Sequence, residues 1–261
     1  MRSARSLLAA TAVLALAAGL SACSGSTPRS NAAPNAPKVD GTVTVFAAAS
    51  LKESFTALGK RFEAAYPGTR VTFNFGGSSA LAQSIVAGAP ADVFAAASPA
   101  TMKTVTDAKL TGGDPTVFVR NTLEIAVAKG NPKHITGLKD LGGVKTALCA
   151  KEVPCGAAAA AALKAAGVEL TPATYEQDVK GALTKVELGE VDASLVYRTD
   201  VKVDAAKIDG VDFPEAAQAV NDYPIAALAK APNANGAAAF LGYVGSADAR
   251  RVLTEAGFQT P

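Results

Sequence analysis

Metal-ligating and nucleophilic side chains are scarce in this chain: 261 residues hold one histidine, His134, and three cysteines. Cys149 and Cys155 with a lone imidazole are too few for a structural zinc site, and their spacing is not C-x-x-C. A serine hydrolase would have to pair Ser50 or Ser78 with His134, yet no G-x-S-x-G elbow surrounds either serine. His134 itself lies in the turn-rich stretch Gly130-Asn-Pro-Lys-His134, where a solvated loop position is expected. Excess charge is missing too. Lys and Arg number 25 against 23 Asp and Glu, and no basic cluster is interleaved with aromatics, which excludes nucleic acid as a partner. The longest apolar run, Leu7 to Leu20, is short of the roughly 20 residues that a membrane-spanning helix needs.

That run is informative in another way. Arg2 and Arg5 precede it and small residues end it, the pattern of an export signal covering residues 1–22. Leu20-Ser21-Ala22-Cys23 resembles the bacterial lipobox, so Cys23 is expected to be the lipid-modified first residue of the mature chain, held at the extracytoplasmic face of the cell membrane. An ordinary secreted protein cleaved near Ala22 is the alternative. Residues 23–38, rich in Ser, Gly, Pro, Asn and Ala, have too little apolar surface to order themselves and read as a flexible tether. In an oxidising compartment Cys149 and Cys155 are expected to form a disulfide. Closing so short a loop stabilises by roughly 2 kcal/mol in the chain-entropy model.

From residue 39 onward strand and helix patterns alternate, the signature of an α/β protein with mostly parallel sheets. Strands are expected at Val43–Phe46, Arg70–Phe75, Asp92–Ala96, Val144–Leu148 and Ala193–Tyr197. Helices are expected through Leu51, Phe55, Leu58 and Phe62, from Leu81 to Gly88, after Gly156, from Val179, and around residues 237–243 and 247–256. Thr122–Lys129 and Tyr223–Lys230 read as two extended crossings. They divide the chain into a discontinuous first lobe, 39–121 with 222–261, and a second lobe, 122–221.

Several strand-to-helix turns bring donors to a helix start. Ser50 and Glu53 fit a capping box, Ser78 or Ser79 suits a cap before Leu81, a helix follows Pro154-Cys155-Gly156, and Asp178 is placed to cap a helix opening at Val179. One such terminus is a weak anion site; several aimed at one point make a strong one.

Five stretches at these same turns carry a family resemblance: Val-Phe-Ala-Ala-Ala-Ser-Leu at 45–51, Phe75-Gly-Gly-Ser-Ser-Ala-Leu81, Gly88-Ala-Pro-Ala-Asp-Val-Phe94, Val153-Pro-Cys-Gly156, and Leu195-Val-Tyr197 followed by Asp200. In order and spacing they resemble the periplasmic molybdate-binding proteins, over almost the whole folded part. The resemblance implies a type II periplasmic-binding fold: two lobes, each a mostly parallel sheet flanked by helices, joined by two crossing segments with the ligand between. It implies a monomeric receptor rather than an enzyme, with no cofactor, handing molybdate, and tungstate with it, to an ABC permease and its ATPase. Carried over by position, it assigns ligand contacts to Ser50 and Ser78, with Ser79 the fallback, to the backbone N–H groups of Cys155 and Val179, and to the Tyr197 phenol. Many relatives have a small residue at the position of Cys155; a backbone contact tolerates the change, and a bridge to Cys149 would hold that N–H. Asp92, which would repel a dianion, is expected to cap or pair locally. Sulfate or another oxyanion as ligand, the hydrolase above, and a surface lipoprotein without a small ligand are the alternatives.

Overall fold

The computed structural model describes residues 38–261. The expected leader, Cys23 and the tether up to residue 37 lie outside the described residues. Strand β1 (Gly41–Ala48) turns through a 3-10 segment (Ala49–Leu51) into α1 (Lys52–Ala65). Then come β2 (Thr69–Gly76), α2 (Ser78–Val86), β3 (Val93–Ala95), α3 (Pro99–Asp107), β4 (Thr116–Asn121) and β5 (Leu123–Ala128). The chain continues with β6 (Thr146–Cys149), α4 (Pro154–Ala166), β7 (Thr174–Glu176), α5 (Val179–Glu187), β8 (Ala193–Tyr197), α6 (Arg198–Val203) and β9 (Ile208–Val211). It ends with β10 (Asn221–Ala227), α7 (Ala234–Val244) and α8 (Ala247–Glu255).

The strands form two five-stranded sheets, in the orders β2-β1-β3-β10-β4 and β7-β6-β8-β5-β9. In each sheet one strand runs against the rest, β10 in the first and β5 in the second. The crossing segments were expected over Thr122–Lys129 and Tyr223–Lys230, and here the structure differs. Those residues are mainly β5 and β10 themselves, fully paired inside the sheets. The actual passages lie elsewhere: Thr122 alone between β4 and β5, and residues 212–220 between β9 and β10. A run such as Leu-Glu-Ile-Ala-Val-Ala looks extended in either role, and only its burial on both faces marks it as a central strand.

Period-two alternation along β1 sends side chains to both faces of the first sheet. Val43, Val45 and Ala47 join Phe55, Leu58, Phe62 and Phe240 beneath α1, α7 and α8, whereas Phe46 meets Leu81, Ile85 and Phe94 beneath α2 and α3. The C-terminal helices close this face. The Phe240 ring stands edge-on to Phe55 and Phe62, at centroid distances of 6.0 and 5.3 Å, a geometry that adds about 0.5–1.5 kcal/mol per pair beyond burial. The second sheet has its own core, in which Leu123, Ile125, Leu148, Leu183 and Leu195 meet the alanine face of α4. Among the described residues no helix is long and apolar enough to cross a membrane.

Candidate functional site

In a largely parallel sheet the strand C-termini and the following helix N-termini share one edge, and ligands gather there. Both sheets turn that edge toward the same point. Ser50 follows β1, Ser78 follows β2, Cys155 follows β6, Val179 follows β7 and Tyr197 ends β8. All five line one small cavity of about 10 Å³, far below the roughly 300–1,000 Å³ of pockets for larger organic ligands. Ser79, half-buried on the next position of α2, is not in its lining.

The donors differ in how they are held. The first N–H groups of a helix have no partner within it, and the residues before α2 and α4, Gly77 and Val153, supply no side-chain cap. Their first-turn amides, Ser78 and Cys155 among them, stay open toward the cavity. At α5 the expected cap is present: the Asp178 carboxylate accepts the Gly181 N–H at 3.0 Å, leaving the Val179 amide. The disulfide Cys149–Cys155 joins the end of β6 to the first turn of α4, with Cα atoms 5.8 Å apart. It pins the Cys155 amide to the sheet. Gly156 lies so close to the carbonyls of Cys149 and Ala150 that no Cβ fits there.

The two serines are not caps, contrary to the sequence expectation. The 3-10 segment intervenes after β1, so Leu51 occupies the N-cap position of α1 without a side-chain bond. The buried Ser50 hydroxyl instead meets the Tyr223 hydroxyl at 2.8 Å. Ser78 is the first helical residue of α2, and its Oγ accepts the Ala97 N–H at 2.9 Å. The capping box fails at its other end too, because Glu53 pairs elsewhere.

That other partner is Lys180, which sequence reasoning missed. Its ammonium sits 3.0 Å from Asp200 Oδ1 and 3.1 Å from Glu53 Oε2, joining α5 and α6 of one sheet to α1 of the other. Burial works against its charge, but Asp200 and Glu53 outweigh it and hold the Lys180 pKa above its ordinary value. Asp200 is completely buried, and desolvation raises its carboxyl to about 6 despite the ammonium. Nothing local in the sequence links residues 53, 180 and 200. The charge of Lys180 is thus neutralised internally, and the cavity presents neutral donors beside one lining carboxylate, Asp178, which is engaged by the Gly181 N–H.

Tyr197 is buried, and its hydroxyl has no hydrogen-bond partner among the described residues. Burial, with the neighbouring Tyr223 phenol, keeps its pKa well above the ordinary tyrosine value, so it remains a donor. An unpaired buried hydroxyl facing a cavity is costly unless something fills the space. Asp92 stays out of the site: its carboxylate accepts the N–H groups of Thr44 at 2.7 Å and Asn233 at 2.6 Å, the local pairing expected of it. His134 is exposed in the loop after β5, whereas Ser50 and Ser78 lie at the other end of that strand, where Leu123 pairs with Tyr197. The hydrolase arrangement is therefore not assembled. Among the described residues no group of three His, Cys, Asp or Glu side chains is placed to hold a metal ion.

The family of bacterial extracellular solute-binding proteins matches residues 43–259. The chain is 43% identical to the molybdate-binding protein ModA of Mycobacterium tuberculosis, across 94% of this chain and 95% of that protein. It is 31% identical to a putative ABC transporter substrate-binding lipoprotein, YvgL, of Bacillus subtilis, across 83% and 86% of the two chains. Among solved structures it is similar to the periplasmic molybdate-binding protein of Azotobacter vinelandii, with a TM-score of 0.74, 18% identity and coverage of 84% of this chain and 99% of that one. At that identity the likeness speaks for the fold.

Proposed function

We propose, from the premise that this chain belongs to the bacterial extracellular solute-binding proteins, that it is the molybdate receptor of an ABC importer. It makes and breaks no bond. It closes on the oxyanion and delivers it to a permease and its ATPase. The observation that carries this reading is the small cavity at which donors from both sheets meet; the 43% identity to a molybdate-binding protein over nearly the whole chain supports the choice of ion. The lobes are residues 39–121 with 222–261, and 122–221. In the ligand set Ser50, Ser78 and Tyr197 give hydroxyl hydrogens, and Ser78, Cys155 and Val179 give backbone N–H groups.

Neutral, directed donors offset the lost hydration of a dianion when each oxygen receives hydrogen bonds. The size of the cage then selects. Molybdate and tungstate fill it alike, whereas the smaller sulfate leaves its bonds stretched beyond the usual 2.7–3.2 Å. Competition calorimetry tests this: molybdate and tungstate are expected to bind with similar affinity and sulfate far more weakly. Sulfate binding as tightly as molybdate would overturn the size selection, and no binding of any oxyanion would overturn the function. Ser50→Ala and Ser78→Ala each remove a donor to a buried charge, expected to weaken molybdate binding by about 1.5–3 kcal/mol. Wild-type affinity in both would remove them from the ligand set.

The receptor is monomeric and tethered by a lipid on Cys23, a reading supported by the lipobox-like Leu20-Ser21-Ala22-Cys23 and by the similarity to a putative lipoprotein. Mass spectrometry of the native protein is expected to find acylated Cys23 as its first residue; an unmodified N-terminus elsewhere would dismiss the anchor.

A further inference from the structure

The contact between the Ser50 and Tyr223 hydroxyls has two possible directions, since each oxygen can donate or accept. The direction matters. A Ser50 that donates to Tyr223 has no hydrogen left for the cavity and would turn lone pairs toward an anion. A Ser50 that accepts keeps its hydrogen free.

Asn121, at the end of β4, favours the second. Its Oδ1 accepts the Thr122 N–H at 3.0 Å, which fixes the amide orientation and turns Nδ2 the other way. Nδ2 then donates to Thr199 Oγ1 at 2.9 Å and, by a longer bond, to Tyr223 Oη at 3.4 Å. The Tyr223 oxygen is thus an acceptor from Asn121. With an N–H already directed at that oxygen, the geometry favours the single Tyr223 hydrogen lying in the shorter contact, toward Ser50 Oγ. Buried Tyr223 is held in its protonated form, because burial raises its pKa far above the ordinary value. Ser78 follows the same logic without ambiguity: its oxygen is occupied as acceptor of the Ala97 N–H, so its hydrogen is free.

We propose that Tyr223 and Asn121 are positioning residues of the oxyanion site, a hydrogen-bond relay that orders the Ser50 hydroxyl so that its hydrogen points into the cavity. The proposal rests on the oxyanion reading above and extends it to two residues outside the cavity lining. Their location adds a second role. Asn121 and Tyr223 flank the two passages between the sheets, and the second hydrogen of the Asn121 amide is taken by Thr199 of α6. The same amide that orders Ser50 therefore fastens the second sheet's helix to the first sheet. Donor order at Ser50 and closure of the lobes are coupled through one side chain.

A double-mutant cycle on the purified full-length chain tests this, with molybdate affinity read by calorimetry and the ligand-free melting temperature recorded for each protein. Tyr223→Phe keeps the ring and is expected to weaken molybdate binding roughly tenfold or more. In the Ser50→Ala background it is expected to add nothing, since the hydroxyl it orders is gone. Two results would overturn the relay: Tyr223→Phe within about twofold of wild type, or losses that multiply in the double variant as a merely structural defect would. Neutron diffraction of a deuterated wild-type crystal with molybdate is independent of any variant's folding. A deuteron on Tyr223 Oη directed at Ser50 is expected; one on Ser50 directed at Tyr223 refutes the proposal. A wild type that binds no molybdate would instead sink the receptor reading, whereas a binding wild type with an indifferent Tyr223→Phe sinks only the relay.

Discussion

Gly77→Ala is expected to leave the ligand-free protein folded and to weaken molybdate binding at least a hundredfold, about 3 kcal/mol or more. Gly77 is the residue before α2, with φ −61° and ψ 128°, an extended conformation open to any L-residue. Alanine therefore brings no backbone strain to the first sheet. Its Cβ, however, would fall onto the carbonyl oxygen of Gln177, in the segment that leads into α5 from the second sheet. The obstacle is backbone, so no rotamer change relieves it. Only a separation of the two lobes does, and a separation of about an ångström takes hydrogen bonds of 2.7–3.2 Å out of range. The donors at Cys155, Val179 and Tyr197 would be lost together. The variant is expected to melt near wild type without ligand and to show almost none of the rise that molybdate gives the wild type. Gly113→Ala, where nothing lies within 4 Å of the added carbon, is the control and should bind normally. Tight binding by Gly77→Ala would mean that the ligand does not need this approach of the lobes.

The Gly77–Gln177 contact marks the limit of what was legible in the sequence. Features encoded within a few residues were readable. Asp178 stands three before the Gly181 amide it caps, the two exported cysteines pair, and apolar periodicity locates α1 and α2. The helix starts that ring the cavity were readable for the same reason. What failed was encoded at a distance. Ser50 looks like a cap from its neighbours, but its partner is Tyr223, 173 positions away. Glu53 completes a capping box on paper, yet Lys180 draws its carboxylate across to another helix. Strands β5 and β10 read as linkers because extended apolar runs look alike whether they cross between lobes or lie in a sheet. Helix α3 was missed although Ser98 and Pro99 announce it, with the Ser98 hydroxyl accepting the Thr101 N–H. β7, three residues long with no buried member, has almost no pattern to read.

Lys180→Met is expected to destabilise the protein by roughly 3–5 kcal/mol at pH 8, the cost of leaving a buried charge without its partner, and by only about 1 kcal/mol at pH 5. The difference comes from Asp200. Its carboxyl is raised from 3.8 to about 6, chiefly by burial, so the native state holds the proton more tightly than the unfolded chain. That contribution to stability is complete below pH 3.8 and is lost as pH rises through about 6. Above that point Asp200 is a carboxylate with no exposed surface, and the Lys180 ammonium at 3.0 Å is its compensation. Without the ammonium the carboxyl must stay protonated against the solvent pH or remain charged and unpaired. At pH 5 wild-type Asp200 is already largely neutral and needs no ammonium. Only the partly exposed pair with Glu53 is then lost, worth about 0–1 kcal/mol. Methionine keeps most of the lysine stem, so packing changes little. Urea denaturation of both proteins at the two pH values gives the difference directly. An equal cost at pH 5 and pH 8 would show that Lys180 contributes through its stem or through Glu53, and that Asp200 is not the group it serves.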